Sequence, residues 1–249
     1  MLIRFSKLIA AISVAIFLGS IPAKAGDAAT LNVLGFSKDG NVFAFEEYGI
    51  QDGSGFPYAN RFYIDVTTDK YLRGSPVRFR IDDENADIEN AREQAKVLGD
   101  AIFPQVDLEP AFAAAVNTIT QTNNDRHRLA ALPRAIFPPI DDELEFELTE
   151  IPFGPTPSCE AVVDKLIGFK LVKVATLSNE VAQLLNQDLT VPSSRGCPTG
   201  YLLGGIYTYF VDDANLIYAV MIGVETFGFE GPDHRWLAVT AKYEINKVE

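Results

Sequence analysis

Apolar and polar positions alternate most regularly between residues 31 and 81. Leu31, Val33 and an apolar run at 34–36 lead into Ser37-Lys38-Asp39-Gly40-Asn41. Asp-Gly and Gly-Asn steps tolerate the positive φ that tight hairpins need, so this is a turn between two strands. Val42-Phe43-Ala44-Phe45 continues in strong β-formers. Residues 49–59 are dense in Gly, Asp, Ser and Pro and read as a loop. Residues 61–66 alternate again, 67–70 turn, and Val77, Phe79 and Ile81 alternate with Arg78 and Arg80. The pattern predicts an antiparallel meander.

A second meander is predicted near the other end. Residues 205–210 read as a strand, 211–215 as a turn, 216–224 as a strand, 226–234 as a loop and 235–243 as a strand. A shift of 174 residues places Phe36 on Phe210, Asp39 on Asp213, Asn41 on Asn215, Gly49 on Gly223 and Arg61 on Arg235. The spacer at 49–59, eleven residues, is longer than the two to five or so that a hairpin requires. The expectation is that loops 51–58 and 228–235 emerge at one end of the β-structure, with Arg61 and Arg235 opening equivalent strands.

Between the meanders, Asp82-Asp83-Glu84 opens a helix predicted over 84–98, because acids suit the positive end of the helix dipole. Ile88, Ala91, Ala95 and Leu98 share its apolar face, and Gly99 is its expected stop. A second short helix is expected at 108–116, a loop at 118–128 and a third helix at 179–187. Glu143, Glu145 and Glu147 alternate with Leu144, Phe146 and Leu148, which predicts a strand with one wet and one buried face rather than a metal ladder. Residues 166–174 form another expected strand. The fold class is α+β, mainly antiparallel β, with two blade-like meanders and a helical insert between them. Residues 26–249 are expected to form a single globular domain, whose candidate sub-boundary lies at the Pro-rich stretch 152–158.

Composition adds a location. Arg4 and Lys7 precede the uncharged apolar run 8–21, and Ala23-Lys24-Ala25 is a small-x-small site. This reads as a signal peptide over 1–25 cleaved between Ala25 and Gly26, so the protein is periplasmic or secreted. No later stretch reaches the roughly 18 apolar residues of a membrane helix. Three of the 21 basic residues and none of the 34 acids lie in the first 25, so the remaining chain carries 18 − 34 = −16. Such a surface disfavours nucleic acid and anionic membrane. Cys159 and Cys197 are an even pair in an oxidising compartment, which predicts a disulfide. The rival, a cysteine nucleophile, has no local base in His127 or His234.

Chemical motifs are sparse. With two histidines, the chain has no zincin, paired Cys-x-x-Cys, EF-hand, Walker, dinucleotide or nucleophile-elbow motif. No cofactor and no metal site is implied. One constellation remains: if the loops meet, Asp52, Glu230, Asp233, His234 and Arg235, with Glu47 and Tyr58, would converge for acid–base work or a cation. Turn chemistry explains most of these residues without catalysis. The leading expectation is an exported binding protein with a protein or small-molecule partner in the cell envelope. The alternatives are a hydrolase using the two loops, or a calcium-stabilised structural module.

Two resemblances accompany this reading. Phe36-Ser37-x-Asp39-Gly40 running to Ala44-Phe45, followed by Phe62-Tyr63-Ile64-Asp65, resembles one blade of a TolB-type or WD-type β-propeller, although four such copies are not present. The strings Gly35-Phe36-Ser37-x-Asp39-Gly40, 43–55 and Gly228-Phe229-Glu230-Gly231-Pro232-Asp233-His234-Arg235 resemble a bacterial family of predicted secreted proteins of unknown function. That resemblance implies export and no particular activity.

Overall fold

The structure is a computed structural model that describes residues 26–177 and 180–244. The predicted signal peptide, with Ala25 of the cleavage site, lies outside the described residues, as does residue 179 of the third expected helix.

Three antiparallel sheets carry the chain. The first outer sheet is built from β1 (Thr30–Ser37), β2 (Val42–Ile50), β3 (Pro57–Asp65), β4 (Lys70–Tyr71), β5 (Val77–Arg80) and, after helix α1 (Ile88–Asp100), β6 (Leu108–Glu109). Its order is β4-β3-β2-β1-β6, with β5 also on β3. The chain then places β7 (Phe112–Val116) in a central sheet. It continues through β8 (Arg128–Ala131), β9 (Leu144–Phe153), β10 (Leu166–Lys173) and β11 (Gln183–Gln187), the second outer sheet. It returns to the central sheet with β12 (Pro198–Phe210), β13 (Asn215–Thr226) and β14 (Asp233–Glu244), in the order β14-β13-β12-β7.

Strand β13 shows why the sheets stack. Its residues are buried without interruption from Leu216 to Val224. Side chains alternate across a strand, so burial of both sets requires a layer on each face. Ile217, Ala219 and Met221 pack on Phe36, Phe43, Phe45 and Phe62 of the first outer sheet. Tyr218, Val220 and Ile222 pack on Leu144, Phe146, Phe169 and Leu171 of the second. Each of the valine, leucine, isoleucine, methionine and phenylalanine side chains among them contributes roughly 1.5–3 kcal/mol by leaving water. Aromatic geometry adds to this: the Phe45 and Phe62 rings stack 4.4 Å apart at 4°.

Helix α1 covers the far face of the first outer sheet, making a fourth layer. Asp87 caps it, accepting from Glu89 N at 2.9 Å, so it starts later than residue 84. Its buried stripe is Ala91, Ala95 and Gly99, and Leu98 is 48% exposed. Gly99 is not a stop; a Cβ there would lie 2.3 Å from the Tyr63 hydroxyl, so glycine permits close approach of helix to sheet. Beneath the helix, buried Glu46 accepts from Arg61 Nε at 3.2 Å and Arg92 Nη2 at 2.8 Å.

Two expected helices are strands. Residues 108–116 form β6 and β7, interrupted at Pro110, and their alanines pair on β12 rather than coil. Residues 183–187 pair on β10. In both, edge pairing overrides an apolar run without clear period. Strand β9 follows expectation: Leu144, Phe146 and Leu148 are buried, while Glu145 pairs with Arg128. The Cys159–Cys197 disulfide is present, with Cα atoms 5.7 Å apart, and ties the segment after β9 to the entry of β12. The two meanders stack face to face in different sheets and do not form propeller blades.

Candidate functional site: a cleft along the edge of the central sheet

Strand β14 is an edge of the central sheet, and both outer sheets line the space beside it. The result is a cleft of about 690 Å³. Five consecutive residues, Arg235 to Val239, form its floor, as expected of an edge strand that presents both side-chain sets and its backbone. One wall is Asn60, Phe62, Ile64, Lys70, Tyr71 and Arg78; the other is Phe169, Asn186, Ser194 and Arg195.

Backbone groups of an edge strand point alternately into the sheet and away from it. His234, Trp236, Ala238 and Thr240 point away. At His234, N–H donates to Asp27 O at 2.8 Å, and Ala29 N–H donates to His234 O at 3.0 Å, a parallel bridge. Trp236 N–H donates to Glu47 Oε2 at 2.7 Å. Thr240 N–H donates to Asp69 Oδ1 at 2.8 Å. Between these two, Ala238 directs its N–H and C=O into the cleft, and no described residue bonds to either.

At the loop end of the cleft lies a buried polar network. Arg235 Nη2 donates to Asp27 Oδ2 at 2.6 Å, Tyr58 Oη donates to Asp27 Oδ1 at 3.1 Å, and Asp27 N–H donates to Asp233 Oδ1 at 3.0 Å. Burial raises the Asp27 carboxyl above its ordinary range, and Arg235 opposes the rise. Glu47 is raised by the same burial, against hydrogen bonds from Asn60 at 2.9 Å and from Trp236 N–H. Burial likewise raises Asp69 and the Tyr58 hydroxyl. A smaller hollow of about 250 Å³, lined by Gln51, Tyr58, Arg78, Arg80 and Arg235, adjoins this network.

The two loops do meet. They are shorter than expected: β2 reaches Ile50 and β14 begins at Asp233, leaving 51–56 and 227–232, six residues each. Glu230 N–H donates to Asp52 Oδ2 at 2.8 Å. Arg61, however, sits mid-strand in β3 and faces Glu46, whereas Arg235 is third in β14. It does not open a strand equivalent to that of Arg235. Of the candidates, Tyr58, Asp233 and Arg235 join one hydrogen-bonded network around Asp27, and Glu47 lies in the field of Arg235 while bonding to Asn60 and Trp236 N–H. Asp52 and Glu230 join the loops to each other. His234 stands apart: it is 6% exposed, both ring nitrogens lack a hydrogen-bond partner, and burial lowers its pKa to about 4. Asp27, Asn60, Arg78 and Ala238 escaped sequence reasoning. Only the alternation of Arg78 and Arg80 with apolar residues hinted that cations line one wall.

Among the described residues, no three His, Cys, Asp or Glu come together to hold a metal ion, and no helix is long and apolar enough to cross a membrane. The family described as "Predicted secreted protein (DUF2259)" matches residues 44–242. No curated protein and no solved structure matches the chain significantly.

Proposed function

The chain belongs to that family of predicted secreted proteins, and on this premise we propose that it is an exported binding protein whose ligand lies in the cleft along β14. The carrying observation is Ala238: an open main-chain donor and acceptor at the floor of a 690 Å³ cleft lined by apolar side chains together with a few polar and charged ones. Ligand sites are concave and mostly apolar, with a few placed polar groups, and this cleft has that make-up. A hydrolase at the loops has weaker support. The Asp52 and Asp233 carboxylates are engaged by main-chain N–H groups, and a general base must reach the proton it removes, whereas His234 is buried away from them.

An amphipathic fluorescent anion, anilinonaphthalene sulfonate, tests the reading. It is expected to bind the purified protein saturably at one site. Ser194→Trp, an exposed position on the cleft wall, should abolish that binding. Val162→Trp, in the separate hollow at 160–167, should leave it intact. Absence of binding, or binding indifferent to Ser194→Trp, would overturn the proposal.

A further inference from the structure

The outward edge of β14 already accepts an added segment. Residues 27–29 lie parallel to it and exchange two main-chain hydrogen bonds with His234. Beyond that bridge the edge is held by side chains, Glu47 on Trp236 N–H and Asp69 on Thr240 N–H, with Ala238 left open. From Trp236 to Thr240 an edge strand spans about 13 Å, the length of roughly four extended residues. Residues of both outer sheets flank this stretch, so a segment added here would lie between them.

Charge narrows the occupant further. The chain has 34 acids to 21 bases, yet the cleft and its adjoining hollow are lined by five cations, Lys70, Arg78, Arg80, Arg195 and Arg235, against two acids, Glu47 and Asp69. Arg80, Arg195 and Arg235 are paired with Asp82, Asp188 and Asp27. Lys70 and Arg78 form no ion pair with a described residue, and both stand on the wall made by the first outer sheet. The opposite wall presents Asn186, Ser194 and Arg195, the last lying over the fully buried ring of Phe169. A strand turns alternate side chains to opposite walls, so an occupant fitting both would turn acidic residues toward Lys70 and Arg78 and polar ones toward Asn186, Ser194 and Arg195.

We propose that the cleft binds an extended acidic peptide, added beside β14 through a main-chain bridge at Ala238, with its carboxylates toward Lys70 and Arg78. This rests on the binding reading above and names its ligand class. Strand addition of this kind draws affinity from the main chain and selectivity from the pockets for alternate side chains.

The probes are random-sequence acetyl-pentapeptide amides in pools whose central residue is Glu, Gln or Lys, plus a Glu pool N-methylated along the backbone. Affinity selection with mass-spectrometric readout is expected to enrich the Glu pool about tenfold over the Lys pool. It should lose the N-methylated pool. Arg78→Glu should reverse the charge preference, and Ala238→Pro should weaken every pool, with unchanged circular dichroism as the fold control. Equal enrichment of all charges, or indifference to N-methylation, would overturn the peptide inference while the dye result stands. Self-association of the protein through β14, seen by light scattering without peptide, would overturn it as well. Loss of dye binding would instead overturn the cleft itself.

Discussion

His234 is the residue whose environment most contradicts its usual role. Its ring packs edge-on against Trp236 at 4.9 Å and over Gly223, where a Cβ would come within 2.4 Å of Nε2. In this position the neutral imidazole is kept by burial, with Glu225 opposing and Arg126 and Arg235 reinforcing. The folded pKa of about 4 lies below the ordinary 6.5, so the unfolded chain takes up the proton first. The His234 contribution is therefore full above about pH 6.5, falls as pH drops toward 4, and levels off below, a total of about 3 kcal/mol. Asp27, Glu47 and Asp69 act in the opposite sense. Their raised values favour the folded state at low pH, and that benefit is lost as pH rises through them. The difference between wild type and His234→Leu isolates the histidine. Urea unfolding between pH 4 and 7 should show the variant gaining about 3 kcal/mol relative to wild type as pH falls. A difference independent of pH would mean that the ring finds a proton partner. The sequence flagged His234 for its scarcity and its loop-like surroundings. It could not show that alternation along β14 turns His234 away from Asp233 and Arg235.

At the level of elements, periodicity located the helix and left its rotation to packing. The apolar face expected at Ile88, Ala91, Ala95 and Leu98 is displaced in the structure toward Ala91, Ala95 and Gly99. Small residues win the contact because Ala59 and Tyr63, both fully buried beneath, leave no depth for leucine. Ala95→Leu should therefore cost about 1–3 kcal/mol by overpacking, while Leu98→Ala should stay within about 0.5 kcal/mol as a surface change. Chemical denaturation of both variants checks this, and a larger cost at Leu98 would mean that the helix sits on its other face. Strands with strict alternation were legible, as in β3 and β9. The alanine run of β7 and the leucine pair of β11 were not, since short apolar runs without period do not distinguish helix from edge strand.

At the scale of the whole molecule, the described residues form a stack of three sheets and an α-helix, and its order was hidden in the chain. Residues 108–131 visit the first outer, central and second outer sheets in turn through β6, β7 and β8, each by a few residues. Alternation tells which side chains share a face but not which sheet that face meets. The run from Leu216 to Val224 carried the best clue, because nine consecutive buried residues need cover on both sides. The cleft follows from the stack rather than from any motif: the central sheet stops at β14 while its neighbours overhang it. Meeting of the two loops was legible from the repeated order of elements, and the open backbone beside them was not.

Residue-resolved amide hydrogen exchange along β14 tests this account most directly. In the free protein, Leu237 and Val239 face β13, and the Trp236 and Thr240 amides are held by Glu47 and Asp69. Among residues 235–240, Ala238 should then exchange fastest, and saturation with anilinonaphthalene sulfonate should slow it. An Ala238 amide already protected in the free protein, or unchanged while protection appears at the 160–167 hollow, would contradict the account.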